Sequence, residues 1–182
     1  MRRTLSTAAP APAPAPKYMR APAVRLVAAD TAPAIEAARA IFLDYAASLP
    51  IDLGFQDFDA ELHRLPGEYA APHGQLLLAQ TAAGATVACG ALRPLPDCDY
   101  ANACEMKRLY VRPGHRGSGL GRLLAQALLD EARRAGYSVM LLDTLDEMEA
   151  ARSLYATLGF VEIPPYYYSP VAGAHYLKAE LG

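Results

Sequence analysis

The residues from Glu105 to Arg134, EMKRLYVRPGHRGSGLGRLLAQALLDEARR, concentrate the types and spacing that could do chemistry. An apolar strand ending at Val111 runs into a loop carrying Gly114, Gly117, Gly119 and Gly121, and the loop opens an amphipathic helix. The strand is a rigid edge, the glycines let backbone approach a ligand closely, and the helix start presents unpaired N–H groups with the positive end of its dipole. Together they describe an anion site, best suited to phosphate. The spacing narrows the ligand. A mononucleotide P-loop needs Lys and then Ser or Thr after the last glycine, but Gly121 is followed by Arg122 and Leu123. The dinucleotide fingerprint needs glycines at its first, third and sixth positions, and counting from Gly117 gives Gly117, Gly119 and Arg122. Neither pattern is met.

What remains, Arg116-x-x-Gly119-x-Gly121, resembles the Arg/Gln-x-x-Gly-x-Gly/Ala signature of the GNAT acyltransferases, the family of GCN5-related N-acetyltransferases. The resemblance continues through Leu109 to Val111, the Arg112-Pro113 pair, and the run AARSLYATLGF from Ala150 to Phe160, which is similar to the family's A-x-x-L-Y-x-x-x-G-F motif. It is specific over Glu105 to Phe160 and architectural outside that span.

The resemblance implies acetyl-CoA as cosubstrate and assigns roles to residues. Backbone N–H groups of Gly117, Ser118, Gly119, Leu120, Gly121 and Arg122 would hold the pyrophosphate, with charge added by Arg116 and Arg122. An N–H from Leu109, Tyr110 or Val111, where the family's strand bulges, would meet the thioester oxygen as it becomes negative. Tyr155, the tyrosine of LYxxxGF, would give a proton to the departing thiolate. In the family an asparagine often stands seven residues before that tyrosine and bonds the pantetheine arm; Met148 occupies the position here.

Acetyl transfer to an amine needs a neutral nucleophile, whereas a primary amine with a pKa near ~10.4 is mostly protonated at pH 7. A general base must remove that proton. Glu105 is the best-placed carboxylate, on the strand that leads into the glycine loop, where many family members carry such a base. On a regular strand it shares a face with Lys107, Leu109 and Val111, and a bulge would change this. Each assignment has a plainer alternative. Glu105 could be a salt-bridge partner of Lys107, Arg108 or a neighbouring strand, Tyr155 a core aromatic beside Leu154 and Leu158, and Arg116 or Arg122 a solvated surface cation.

The secondary structure around these residues is read from periodicity. Val24 to Ala28 alternates as a strand. Asp30 or Thr31 caps a helix with Pro33 near its start, carrying Ile35, Ala38, Ile41, Phe42 and Tyr45 at helical spacing. After the Pro50 to Gly54 loop, Asp57 caps a short helix through His63, closed by Pro66 and Gly67. Gln75 to Thr81 and Thr86 to Leu92 form a hairpin around Gly84, and Cys104 to Val111 is the next strand. The third helix runs from about Gly119 to Arg134, burying Leu120, Leu123, Leu124, Ala127, Leu128 and Ala132. Ser138 to Leu142 is a buried strand, Glu147 to Leu158 a fourth helix stopped by Gly159, and Phe160 to Ile163 and His175 to Leu181 are closing strands.

This order, β-α-α-β-β-β-α-β-α-β-β, places the chain in the mixed α/β (α+β) class. Short loops make the middle strands antiparallel, and the crossover through the third helix makes one parallel pair. The resemblance implies the GNAT fold: a twisted, mixed, mostly antiparallel sheet of about seven strands with about four helices, in which two neighbouring strands splay to admit the pantetheine arm.

Composition sets the outer bounds. The 182 residues suit one domain, and 53% apolar content is ample for its core. Residues 1–22 form an Ala/Pro-rich tail expected to be disordered, leaving 23–182 as the catalytic domain. A formal charge of −2 shows no bias toward nucleic acid or anionic membrane. Cys89, Cys98 and Cys104 lack disulfide or zinc spacing and read as free thiols of a cytoplasmic protein, with no metal expected.

The acceptor is expected to be the amine of a small molecule or of a protein, attacking the thioester directly in a ternary complex. Asp52, Asp57, Asp59 and Glu61, interleaved with Phe55 and Phe58, could wall a site for a cationic amine, or form a capped surface helix. Tyr166, Tyr167 and Tyr168 suit a pocket rim, a homodimer contact or the core. Transfer to a hydroxyl is disfavoured because no histidine is placed by motif to activate it. The competing reading is a non-catalytic acyl-CoA-binding regulatory or interaction module.

Overall fold

The computed structural model describes residues 23–182. The tail expected to be disordered, residues 1–22, lies outside the described residues. In chain order the elements are β1 (Val24–Ala28), α1 (Ala32–Ala47), α2 (Phe58–Arg64), β2 (Gln75–Thr81), β3 (Thr86–Pro94), β4 (Ala103–Val111), α3 (Leu120–Arg134), β5 (Val139–Leu145), α4 (Glu149–Thr157), β6 (Val161–Ile163) and β7 (Ala174–Glu180), with short 3-10 turns between some of them. The strands form one sheet in the order β1-β2-β3-β4-β5-β7-β6. Every neighbouring pair is antiparallel except β4 and β5. The single parallel pair is the one joined through α3, because parallel neighbours need a crossover long enough to return the chain to its starting end.

Both faces of the sheet are covered. On one, Leu124, Leu128 and Leu129 of α3 pack with Met106, Met140 and Leu142, and with Tyr155 and Phe160 from the α4 region. On the other, Ile41 and Phe42 of α1 and Phe58 and Leu62 of α2 pack with Leu78, Cys89 and Tyr110. Pro33 lies in the first turn of α1, where its missing N–H costs nothing, and Thr31 occupies the N-cap without a side-chain bond. The buried stripe of α3 differs from the expected one. Leu123 is 44% exposed, whereas Ala125 and Leu129 are buried. Adjacent residues on a helix lie ~100° apart, so the Leu123-Leu124 and Leu128-Leu129 pairs offer two stripes, and the position of the sheet selects between them.

A bulge interrupts the pairing of β3 with β4. Cys89 of β3 pairs with Tyr110 of β4, but Ala91 pairs with Lys107, so Arg108 and Leu109 together oppose Gly90. Arg108 takes a φ of 59°, rare for a residue with a side chain. The bulge reverses the alternation expected of a regular strand. Leu109 and Val111 turn to the α3 face, while Arg108 and Tyr110 face α1 and α2. Glu105 therefore shares its face with Lys107, Arg108 and Tyr110, not with Leu109 and Val111. Gly90 permits this, since a Cβ there would lie 2.9 Å from Leu128 Cδ1 and 3.2 Å from Leu109 Cδ1. The Cys89 thiol donates to the carbonyl of the bulged Arg108 at 3.2 Å.

At the other end of the sheet, His175 of β7 lies between two carboxylates, with Nε2 2.6 Å from Asp146 Oδ1 and Nδ1 2.8 Å from Glu162 Oε1. Two acceptors require both ring nitrogens to donate, which only the imidazolium can do. The bonds to Asp146 and then Glu162 raise the His175 pKa above 6.5, and the bond from His175 lowers that of Asp146 below 3.8. Stabilisation from the raised His175 is complete below 6.5 and is lost as pH climbs through the raised value; that from Asp146 is lost only as pH falls through its lowered one. His175→Gln should therefore lower Tm most below the ordinary histidine pKa of about 6.5 and progressively less as pH rises through the raised value. A Tm difference that stays constant across this range would contradict the imidazolium assignment.

Candidate active site

β4 and β5 part company early. Their ladder comprises Ala103, Cys104 and Glu105 against Val139, Met140 and Leu141, yet β4 continues to Val111 and β5 to Leu145. Beyond Glu105 the β5-facing edge of β4 has no strand partner, and a cleft opens there. Met106, Leu109 and the bulged Arg108 line one side and Asp143, Thr144 and Leu145 the other, with Tyr45, Met148 and Tyr155 completing it. The expected splay is thus present between the strands that carry Glu105 and precede Tyr155. Leu109, at the bulge, is in the cleft wall, while Tyr110 is turned into the α1 core and Val111 lies next to the glycine loop.

The glycine loop stands at the end of β4. Gly117 and Gly119 have φ of 74° and 85°, the left-handed conformation that favours glycine, and Gly119 is the N-cap of α3 with no side-chain cap bond. The first N–H groups of α3 are therefore not capped by a side chain, and a Cβ on Gly117 or Gly119 would meet no atom within 4 Å. An uncapped helix start beside open space fits a pyrophosphate. Ser118 closes the loop by donating from Oγ to the His115 carbonyl at 2.5 Å. The two arginines are partly engaged. Arg116 donates from Nε to the Val111 carbonyl at 3.0 Å and lies over the Tyr110 ring, while Arg122 donates to Thr157 Oγ1 at 2.6 Å, tying α3 to α4. Neither side chain is buried.

Inside the cleft, α4 presents Tyr155, whose ring packs on Phe160 at 5.6 Å between centroids. Tyr155 is 6% exposed, and its hydroxyl makes no hydrogen bond to protein among the described residues. Burial first, then the charges of Tyr45 and Asp143, raises the phenol pKa well above its ordinary range, so the hydroxyl keeps its proton. Met148 is the N-cap of α4 and lines the cleft without offering a hydrogen bond. A polar group is nonetheless present nearby. The Thr144 hydroxyl is buried with no partner among the described residues, and Thr144 also lines the cleft. Such an orphan is costly unless a ligand satisfies it, which fits an amide-bearing arm lying between the strands.

Next to the cleft is a cavity of about 240 Å³, bounded by Phe55, Gln56, Glu61, Arg93, Glu105, Tyr166 and Tyr167 among others. Lys107 and Arg108 line both spaces. Glu105 faces this cavity and does not line the cleft that holds Tyr155. It is 1% exposed, with Oε2 receiving Arg93 Nε and Nη2, each at 2.8 Å, and Oε1 receiving the Tyr166 hydroxyl at 2.8 Å. Lys107 lies 3.7 Å from Oε1. Arg93 also reaches Glu68 at 2.8 Å.

The acidic and aromatic residues after Pro50 divide. Glu61 is bound by Arg108 through Nε and Nη2, at 3.0 and 2.5 Å, and by the Tyr69 hydroxyl at 2.8 Å. Phe58 is buried under the same guanidinium, and Phe55 stays 39% exposed at the cavity. Asp52 accepts from the Gly54 N–H in its own turn, and Asp57 and Asp59 are exposed outside the cavity lining. Of the three tyrosines, Tyr166 and Tyr167 reach the cavity, while Tyr168 is 87% exposed.

Motif reading did not bring out Arg93, Lys107 or Asp143 as members of this site. Asp143 offered a signal, as a lone carboxylate inside the apolar strand MLLDTL. Arg93 offered none, since nothing local pairs it with a residue of β4.

A sequence model of the acetyltransferase (GNAT) family matches residues 35–160. An uncharacterised N-acetyltransferase of Schizosaccharomyces pombe is 40% identical over 140 residues, covering 76% of this chain and 83% of the relative. Among solved structures, a GNAT-family acetyltransferase of Staphylococcus aureus superposes with a TM-score of 0.71 at 20% identity, covering 88% of this chain and all of the other. An acetyltransferase of Salmonella typhimurium, solved with its cofactor acetyl-CoA, has a TM-score of 0.56 at 23% identity and covers 87% and 94% of the two chains. No helix among the described residues is long and apolar enough to cross a membrane. The splayed strands, the uncapped glycine loop and the matched span agree, and the chain belongs to the GNAT family of acetyltransferases.

Proposed function

We propose that the protein transfers the acetyl group of acetyl-CoA to the amine of a small molecule by direct attack in a ternary complex. The observation that carries this reading is the parting of β4 and β5 after Glu105, with the glycine loop at the end of β4 and Tyr155 inside the cleft. The adjoining cavity of about 240 Å³ is walled on several sides, which favours a small acceptor over a protein surface.

In this reading the pyrophosphate lies on the N–H groups from Gly117 to Arg122 and the pantetheine arm enters between the strands, with the Thr144 hydroxyl as a polar partner in place of the asparagine absent at Met148. The acceptor ammonium enters the cavity and loses a proton to Glu105, directly or through the Tyr166 hydroxyl. The neutral amine attacks the thioester carbon. An N–H of the bulged segment Leu109 to Val111 stabilises the negative oxygen, and Tyr155 protonates the leaving thiolate.

Calorimetric titration with acetyl-CoA, followed by thiol release with pools of primary amines, tests the reading. Binding with amine-dependent release is expected, and an absence of binding would remove it. Gly119→Val should weaken acetyl-CoA binding by roughly tenfold or more, because a branched side chain strains a φ of 85° and fills the space before the α3 N-terminus. A Kd within a factor of two of the wild type would place the pyrophosphate elsewhere.

A further inference from the structure

We infer that Asp143 is a catalytic carboxylate of this site, taking the proton that the acceptor nitrogen sheds as its bond to the acetyl carbon forms. The inference rests on the function proposed above and adds to it a residue that motif comparison does not assign.

An amine acceptor must lose two protons, one before attack to free its lone pair and one after, when nitrogen becomes cationic on bonding carbon. Glu105 is placed for the first, in the wall of the acceptor cavity. It is poorly placed for the second, because it does not line the cleft that holds Tyr155. Among the described residues lining that cleft Asp143 is the one carboxylate, and no histidine lines it. Strand alternation puts Asp143 there: it follows Leu141, the last β5 residue paired with β4, by two positions, on the face opposite Met140 and Leu142.

The surroundings keep Asp143 in place and ionised. Lys107 Nζ donates to Oδ1 at 3.2 Å and the Tyr167 hydroxyl donates to Oδ2 at 3.0 Å, while Arg108 adds charge from the bulge. Burial raises the carboxyl pKa, but Lys107 and Tyr167 outweigh it and hold the group below 3.8. The side chain is nevertheless 19% exposed, against 1% for Glu105. Lys107 touches both carboxylates and so stands between the two proton-accepting positions.

The protons balance. Glu105 takes the first from the ammonium and returns it to solvent through the acceptor cavity. As the C–N bond forms, the second passes from nitrogen to Asp143. The C–S bond then breaks with its electron pair on sulfur, and the Tyr155 hydroxyl protonates the thiolate. Transfer from Asp143 to the Tyr155 phenolate restores both residues, leaving amide, free thiol and one proton in solution.

The test compares Asp143→Asn and Glu105→Gln with the wild-type protein, using acetyl-CoA and the amine pool that supports thiol release, from neutral pH to above the acceptor pKa of ~10. Asp143→Asn is expected to bind acetyl-CoA normally and to lose roughly 100-fold in kcat, with the loss persisting at high pH because the second proton forms whatever the pH. Glu105→Gln should recover the wild-type rate once the acceptor is already neutral. A kcat for Asp143→Asn within about threefold of wild type overturns the assignment, as does a loss that vanishes above the acceptor pKa. If the asparagine variant does not fold, Asp143→Glu decides: a partial rate supports the assignment, and a folded, acetyl-CoA-binding Asp143→Glu protein at full rate under every condition refutes it. An absence of thiol release from the wild type itself removes the proposed function and this inference together, an outcome distinct from failure of Asp143 alone.

Discussion

A Tyr155→Phe protein is expected to hold acetyl-CoA with wild-type affinity and to release thiol roughly 100-fold more slowly, the lower end of the usual range for a lost general acid. The substitution is clean because the ring stays. Tyr155 contributes its aromatic face to Phe160 and to the apolar cluster under α3, and phenylalanine keeps those contacts. Its hydroxyl bonds no protein group among the described residues, so deleting it leaves no partner unsatisfied. Burial raises the phenol pKa, so the hydroxyl carries its proton at neutral pH. The loss should therefore fall on kcat, with the acceptor KM little changed. Steady-state thiol release beside calorimetric binding separates the two, and unchanged turnover would end the general-acid assignment.

Arg108→Leu should lower folding stability by about 3–5 kcal/mol, the usual cost of removing one partner from a buried ion pair. The Arg108 side chain is 3% exposed and that of Glu61 16%. Arg108 bonds both oxygens of Glu61 and reaches Gln56 Oε1 at 2.9 Å, with its guanidinium 5.2 Å from the centre of the Phe58 ring. Its removal leaves a half-buried carboxylate whose remaining hydrogen bond comes from the Tyr69 hydroxyl, with Lys107 as the nearby charge. Leucine inherits the same φ of 59°, so backbone strain is common to both proteins and the difference reports the ion pair. Urea denaturation measures it, and adding Glu61→Leu should restore part of the loss because the stranded charge goes with it. A single-variant effect below about 1 kcal/mol would mean that the pair is solvated like a surface bridge.

Much of the fold was legible because its signals are local. Alternation marked β1, the turn at Gly84 marked β2 and β3 almost to the residue, and Gly159, at positive φ, stops its helix where expected. The glycine loop could be read for the same reason, since spacing along one short segment determines where its N–H groups point. Where two stripes were equally apolar, as at Leu123 and Leu124, local pattern had no means of choosing, and the expected face of α3 was partly wrong.

The chemical setting of Glu105 lies at the other extreme. Its partners come from β3 through Arg93 and from the loop before β7 through Tyr166, and those of Asp143 from β4 and the same loop. The order of elements, the glycine loop and the family could all be had from the sequence alone. It took the folded chain to show that a one-residue bulge opposite Gly90 turns Arg108 toward Glu61, and that Glu105 lines the cavity beside Tyr166 while Asp143 lines the cleft. The physical reason is range: hydrogen-bond periodicity and backbone conformation are set by adjacent residues, whereas the pairing of buried charges depends on which distant strands the packed core brings within about 3 Å of each other.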